Sequence, residues 1–233
     1  MKNTTIEILS TKKINAELKQ FAFENGINIV DYNFLKYDYL DTKEIVLTFT
    51  ENKNPLVFTS QHAVNAATIL INRYNISLLN KTCFAINGTT AQLALANGFE
   101  VINTATNSIT LAEKIIHKKL QQVLFCCGNI RLQHLSEILT ENDILITEIE
   151  VYRKILMPIK IDKKVDGILF FSPSQIDAFL LQNELNNTTT AFCIGDTTAK
   201  HLQLKNHSNF IVAENQSIKS VIETAITYFL KHE

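Results

Sequence analysis

Apolar and polar positions along the chain alternate between two periods. Short runs of consecutive apolar residues, the length of buried strands, are followed by stretches whose apolar positions recur every three or four residues, as on the buried face of a helix. Residues 5–9 read as a strand, and residues 15–24 as a helix carrying Ala16, Leu18, Phe21 and Ala22, which Gly26 stops; residues 27–32 are a second strand. Residues 33–40 keep their apolar character without helical spacing, the pattern of an extended connector. Strand and helix then alternate. Strands are predicted at 56–58, 83–86, 100–102, 123–127 and 144–152, and helices at 62–74, 89–96, 111–119 and 131–139. Residues 153–164 carry no helical stripe and read as a return connector. Strands at 168–171, 191–194 and 210–212 and helices at 174–182, 197–204 and 218–230 complete the chain. Such alternation predicts parallel strands joined by crossover helices.

The pattern also repeats. Val57-Phe58-Thr59-Ser60-Gln61-His62-Ala63 returns as Phe170-Phe171-Ser172-Pro173-Ser174-Gln175-Ile176, and Ala85-Ile86-Asn87-Gly88-Thr89-Thr90-Ala91 returns as Cys193-Ile194-Gly195-Asp196-Thr197-Thr198-Ala199, each roughly 110 residues later. Each copy is an apolar strand, a small turn and a helix opened by Ser or Thr. Two α/β lobes facing a shared cleft are therefore expected. Three helices after residue 165 are too few for a lobe, so the amino-terminal strand, helix and strand are assigned to it. Lobe 1 is then 1–36 with 155–233, lobe 2 is 37–154, and the linker strands lie near 33–40 and 152–164.

Composition narrows the chemistry. A net charge of −1 and a pI near 6.6 give no global field to draw in nucleic acid or an anionic membrane, so neither is expected as a partner. The amino terminus has no apolar stretch of signal-peptide length and no segment approaches a membrane span, which leads to the expectation of a cytoplasmic protein. Cys83, Cys126, Cys127 and Cys193 fall inside apolar runs without metal-ligand spacing and read as reduced core residues. The six histidines are scattered, and no metal site is expected.

The candidate chemistry lies at the turns. Ser60 and Ser172, the latter with Pro173 at the first helical position, read as N-caps whose helices aim backbone amides and a positive dipole end at a ligand. The alternative is capping alone. Gly88-Thr89-Thr90 and Asp196-Thr197-Thr198 repeat the geometry, with Asp196 open to a capping role of its own. Cys127-Gly128-Asn129-Ile130-Arg131 is a fifth such turn, with Gly128 for close backbone approach and Arg131 either gripping a carboxylate or pairing with Glu137 or Glu141. Several helix amino termini together hold an anion without a lysine cluster. Tyr152 sits where the middle lobe ends; on position alone it is a packing residue.

These motifs resemble the uroporphyrinogen-III synthase family. The resemblance rests on Val57-Phe58-Thr59-Ser60 with Ala63-Val64, Gly88-Thr89-Thr90-Ala91 ahead of Gly98-Phe99-Glu100-Val101, Gly128-Asn129-Ile130-Arg131, Val151-Tyr152-Arg153, Phe171-Ser172-Pro173-Ser174 and Ile194-Gly195-Asp196-Thr197-Thr198-Ala199, in the family's order along most of the chain. It implies two flavodoxin-like lobes with parallel sheets joined by a two-stranded linker. It also implies a reaction without metal or organic cofactor: hydroxymethylbilane, a linear tetrapyrrole, loses its hydroxyl, ring D inverts through a spiro intermediate, and the macrocycle closes. Tyr152 matches the tyrosine proposed to assist hydroxyl departure. Lys12, Thr59, Ser60, Gly88, Thr89, Thr90, Gly128, Asn129, Arg131, Ser172, Pro173, Ser174, Thr197 and Thr198 are the implied substrate contacts. A monomer in transient contact with the bilane-forming deaminase is the expected assembly. The sequence departs from the family at Thr11-Lys12, where a Thr-Arg pair is usual, at Asn33 in place of a proline, and in the short segment 153–165. A non-catalytic two-lobed module binding an anion or a tetrapyrrole is the competing reading; a flavin carrier would need a phosphate loop.

Overall fold

The computed structural model describes residues 6–78, 81–131, 133–186 and 188–231. Residues 1–5, including the expected strand start at Thr5 and the segment read for a leader, lie outside the described residues. The chain forms two compact units: one ends at Lys36 and resumes at Ile155, and the other is Tyr37–Lys154.

The first unit is a five-stranded sheet of β1 (Ile6–Ser10), β2 (Ile27–Asp31), β9 (Gly167–Phe170), β10 (Thr190–Cys193) and β11 (Phe210–Val212), in the order β11-β10-β9-β1-β2. Every neighbouring pair is parallel. Helices α1 (Ala16–Glu24), α7 (Pro173–Leu180), α8 (Asp196–Leu204) and α9 (Ile218–Leu230) provide the crossovers. Asn15 starts α1 by accepting the Leu18 N–H at 2.9 Å, and Gly26, at φ +80°, makes the left-handed turn that follows it. Two apolar clusters form on this sheet. One gathers Ile8, Leu169 and Phe192 with Val221, Ala225 and Ile226 of α9, and the other gathers Leu9, Ile168 and Phe170 with Ile176 and Phe179 of α7. Consecutive residues of β1 fall in different clusters, which is why buried parallel strands read as unbroken apolar runs.

The second unit contains β4 (Leu56–Phe58), β5 (Thr82–Ile86), β6 (Glu100–Ala105), β7 (Gln122–Gly128) and β8 (Leu145–Leu156), parallel in the order β8-β7-β4-β5-β6. Helices α3 (Gln61–Tyr74), α4 (Thr89–Ala96), α5 (Ser108–His117) and α6 (His134–Glu141) connect them. The first sheet changes winding direction between β1 and β9, and this one between β4 and β7. A sixth strand, β3 (Leu35–Tyr39), borders β8. Leu40 N–H donates to the Val151 carbonyl and Met157 N–H to the Phe34 carbonyl, both at 2.9 Å, so β3 and β8 run antiparallel and carry the chain between the units as a two-stranded linker.

Three sequence expectations change. Residues 153–156 continue β8 past the expected strand end at 152, within the stretch read as a linker strand. Helix α2 (Lys43–Glu51) was not anticipated: Thr42 caps it by accepting the Ile45 N–H at 3.3 Å, and the buried Lys81 ammonium donates to the Phe49 and Asn52 carbonyls at 3.0 and 2.9 Å. A cation on the last carbonyls satisfies groups that a nine-residue helix cannot pair itself. Third, α6 begins at His134 and leaves Arg131 outside the helix.

Candidate functional site

In doubly wound sheets ligands bind outside the carboxyl ends of strands, where the winding reverses. In the second unit that point lies between β4 and β7, and a hollow of about 380 Å³ opens there. Thr59 and Ser60 follow β4, Gly128, Ile130 and Arg131 end and follow β7, and Tyr152 and Lys154 come from β8; Ser108, Phe125 and Leu135 complete its wall.

Tyr152 is buried, at 7% exposure. Its phenol oxygen lies 3.0 Å from Ser60 Oγ, and Ser60 Oγ accepts the Ala63 N–H at 3.2 Å. Ser60 thus caps α3 as expected and touches Tyr152 as well. Gly128 is required by the ring: a Cβ at that position would sit 2.5 Å from Tyr152 Cζ. The rings of His62 and Tyr37 lie 5.6 and 6.1 Å from that of Tyr152, and Tyr37 stacks on His62 at 3.5 Å. Burial pushes the Tyr152 phenol above its ordinary pKa, with the Ser60 hydrogen bond opposing more weakly; burial also carries Tyr37 to about 12. Both phenols keep their protons at neutral pH.

Arg131 does something other than expected. Its guanidinium pairs with Glu148, which also accepts from Ser136, and a second nitrogen donates to the Gly128 carbonyl at 3.2 Å. Neither Glu137 nor Glu141 is its partner, and its charge is balanced within the unit. The group braces the turn that accommodates Tyr152. Asn129 is committed too: its Oδ1 accepts the Lys154 N–H at 2.9 Å and its Nδ2 donates to the Lys154 carbonyl at 3.3 Å.

Gly88 caps α4 with φ +73°; Thr89 is exposed, whereas Thr90 is buried at 8%, and none of the three lines the hollow.

In the first unit the winding reverses between β1 and β9, which brings Lys12 next to the Ser172 turn: the Lys12 ammonium lies 5.8 Å from the Phe171 ring centre. Thr11 Oγ1 donates to the Leu169 carbonyl at 2.7 Å. Ser172 occupies the N-cap position of α7 with Pro173 next, but its hydroxyl makes no capping bond, and the oxygen is buried without a partner among the described residues. Gln175 supplies the local order instead. Its Oε1 accepts the Phe171 N–H at 2.9 Å and its Nε2 donates to the Thr11 carbonyl at 3.2 Å. Ser174 lies in the first turn of the same helix. At the next strand end Gly195, rather than Asp196, is the N-cap of α8; Thr197 is exposed and Thr198 buried at 3%.

A larger hollow, about 610 Å³, lies in the first unit around Ile168, Phe179 and Thr189, at the amino ends of β9 and β10. That is the end of a parallel sheet opposite the one where ligands bind, and part of its polar wall is engaged by the chain: Lys160 donates to the Gln182 carbonyl at 3.1 Å and Asn183 to the Ile159 carbonyl at 2.7 Å. Among the described residues no group of three His, Cys, Asp or Glu side chains could hold a metal ion.

Sequence reasoning missed Lys154, Ser108 and Glu148. Lys154 was within reach, since alternate residues of a strand share a face and Tyr152 was already singled out. Glu148 was not, because only the register of β7 against β8 brings it to Arg131.

A chain with two doubly wound parallel sheets, a two-stranded linker and a tyrosine-bearing pocket at a switch point belongs to the class of two-domain α/β proteins that bind ligands at strand ends. The family model for uroporphyrinogen-III synthase HemD matches residues 16–223. The fold is that of uroporphyrinogen-III synthetase from Helicobacter pylori, at 22% identity, TM-score 0.68, and coverage of 96% of this chain and 99% of that one. A mutant uroporphyrinogen III synthase from Thermus thermophilus gives 14% identity, TM-score 0.71, and coverage of 98% and 100%. No match was found among curated proteins. The chain belongs to the uroporphyrinogen-III synthase family. Its activity is that of a cyclising hydro-lyase of haem biosynthesis, closing hydroxymethylbilane to uroporphyrinogen III with loss of water. No helix among the described residues is long and apolar enough to cross a membrane.

Proposed function

We propose that Tyr152 is the general acid of the cyclisation and that the second unit's switch-point pocket holds the ring bearing the hydroxymethyl group. The observation that carries this reading is the buried, protonated phenol on Ser60 in that pocket. Ser60 Oγ already accepts the Ala63 N–H. When the serine donates its own proton to the phenol oxygen, the phenol proton is free for the substrate. Transfer of that proton to the leaving hydroxyl releases water and an azafulvenium cation, and leaves a tyrosinate stabilised by Ser60 and by the positive end of α3. The ring D carbon attacks the cation, the spiro intermediate opens and recloses inverted, and the proton lost on rearomatisation returns to Tyr152. Because the bilane also closes unaided, the larger contribution is orientation.

Orientation comes from carboxylates of the substrate meeting backbone amides at helix starts: in the second unit the candidates are those after Ser60 and Gly88, with Thr59 and Thr89 beside them, and in the first unit those after Ser172 and Gly195, with Ser174, Thr197 and the Lys12 cation beside them. Thr90 and Thr198, being buried, serve through their amides; Gly128, Asn129 and Arg131 shape the pocket. We further propose a monomer acting in the cytoplasm and receiving its labile substrate from the bilane-forming deaminase.

The test is an isomer assay with hydroxymethylbilane generated in situ, followed by oxidation and separation of uroporphyrins I and III. Isomer III in excess over a protein-free control is expected, and Tyr152→Phe should lower the single-turnover rate roughly tenfold to a hundredfold without abolishing it. Isomer I alone from folded protein would leave a binding module. An unchanged rate in the phenylalanine variant would remove Tyr152 from the chemistry.

A further inference from the structure

We infer that Gln175 is a positioning residue of the first unit: its side-chain amide holds the loop that carries Lys12 against the turn that opens α7, so that the Lys12 ammonium and the amides of that turn present one preformed carboxylate site. Its partners in this role are the proposed substrate contacts at Lys12 and Ser172, on which the inference rests.

Gln175 is buried, at 5% exposure. Its Nε2 donates to the carbonyl of Thr11, one residue before Lys12, and its Oε1 accepts the N–H of Phe171, one residue before Ser172. The two partners fix the orientation of the amide, because a backbone N–H only donates and a carbonyl only accepts. Phe171 is also the ring that the Lys12 ammonium faces at 5.8 Å. One side chain thus closes the contact between cation and ring, from Gln175 to Thr11, through Lys12 to Phe171, and back to Gln175. Other bonds hold the Lys12 loop on the sheet. The Thr11 N–H and Oγ1 both donate to the Leu169 carbonyl, at 3.2 and 2.7 Å, while the Lys13 N–H donates to Asn33 Oδ1 at 3.0 Å and the Ile14 N–H to Asp31 Oδ2 at 2.8 Å. Among these bonds the Gln175 amide makes the link that reaches past the end of β9 to the turn.

The other unit shows that a turn of this kind forms without such an amide. Ala63 stands three residues after Ser60, as Gln175 does after Ser172, and there the serine caps the helix through the Ala63 N–H. A glutamine in that place adds what alanine cannot, a bond to a second loop. The neighbouring lysines also differ: Lys13 and Lys19 both pair with Asp31, whereas the Lys12 ammonium is directed to the Phe171 ring. A lysine on an unfixed loop gives up chain and rotamer freedom when it takes a carboxylate. One whose loop is already fixed beside helix amides has given up part of that freedom on folding, so the carboxylate binds more tightly. The contribution of Gln175 therefore falls on substrate binding.

The experiment measures KM and kcat on hydroxymethylbilane, product isomers and thermal unfolding for wild type, Lys12→Met, Gln175→Met, Gln175→Glu, and each Gln175 variant combined with Lys12→Met. Glutamate has nearly the shape of glutamine and keeps an acceptor for the Phe171 N–H, but as a carboxylate it has no proton for Thr11. Each Gln175 variant is expected to raise KM roughly fivefold to tenfold with kcat little changed, and by less than about twofold once Lys12 is methionine. Any fall in unfolding temperature should be the same with and without Lys12. An unchanged KM in folded Gln175 variants, with KM raised in Lys12→Met, overturns the inference and leaves the substrate contacts standing. An equal rise in KM with and without Lys12, or a Gln175→Glu protein that does not fold, assigns the amide to structure and also overturns it. An unchanged KM in a Lys12→Met protein that still makes isomer III removes the Lys12 contact and the inference with it, and a wild-type protein that makes no isomer III removes the reaction as well.

Discussion

Ser60 and Ser172 come from the same strand-turn-helix phrase, yet the two units use them differently. Ser60 satisfies its hydroxyl twice, on the Ala63 amide and against the Tyr152 phenol. Ser172 finds no partner for its hydroxyl among the described residues, and Gln175 does the local holding. A satisfied polar group ties a side chain down, whereas a buried unsatisfied one costs about 1–3 kcal/mol. In the second unit the first turn after β4 thus joins a helix cap to a buried phenol. The first unit keeps an unsatisfied polar atom at its own switch point, beside the Phe171 ring on which Lys12 sits at 5.8 Å. Repeated sequence therefore fixes backbone geometry in both units without fixing the task of each side chain.

The contrast extends to ionisation, and it yields the largest expected effect. Burial pushes the thiols of Cys83 and Cys127 to about 12 and Cys126 upward as well, all in the second unit, while the first unit holds Cys193 alone, also at about 12. A group whose folded pKa is raised gives stability that is complete below its unfolded pKa, near 8.5 for a thiol, and is lost as pH climbs toward the folded value. At pH 10 the loss is roughly 2 kcal/mol per buried thiol. With three thiols against one, and with Tyr37 and Tyr152 adding to the same side above pH 10, the second unit should open first. Hydrogen exchange followed by peptide mapping from pH 7 to 10 checks this. Equal loss of protection in both units would break the contrast.

The matched glycines come next. At Gly128 a Cβ would meet the Tyr152 ring at 2.5 to 2.8 Å, and at Gly195 it would meet only the end of Gln216, at 3.3 Å. Gly128→Ala should displace the Tyr152 ring, destabilise by about 1–3 kcal/mol and lower kcat at least as far as Tyr152→Phe does. Gly195→Ala should change the unfolding free energy by less than about 1 kcal/mol, since a glutamine end can swing aside. Unfolding midpoints and single-turnover rates of the two variants test the pair, and equal effects would mean that the Tyr152 ring yields as easily as Gln216.

What could be read from the chain follows the same division. Apolar runs and helix starts such as Asn15, Ser60 and Ser217 are local signals, and the alternation gave both parallel sheets and the two-stranded linker. Helix α2 escaped because its carboxyl end is held by Lys81, about 30 residues away, a contact no window of sequence contains. The turn that carries Arg131 is legible in the sequence and the partner of its guanidinium is not, since Glu148 reaches it only through strand pairing. The same holds for Gly128: the turn was legible, but the ring that forbids a side chain there was not. Residue types declare chemistry, and tertiary register decides which of them is already spoken for.

The smallest effects return to the serines. Ser60→Ala removes an N-cap, worth about 1 kcal/mol, and also the phenol's hydrogen-bond partner. That bond lowers the Tyr152 pKa against burial, so the variant's phenol should titrate higher and donate its proton less readily. The predicted result is an unfolding free energy lower by about 1 kcal/mol and a single-turnover rate reduced severalfold. Ser172→Ala deletes an oxygen that has no partner, and its stability should be unchanged or higher by up to about 1 kcal/mol. Denaturant titrations of the two variants under one buffer decide it. Opposite signs would show that one phrase of sequence serves two physical ends; a loss of stability in Ser172→Ala equal to that in Ser60→Ala would show that the Ser172 hydroxyl caps α7 in solution after all.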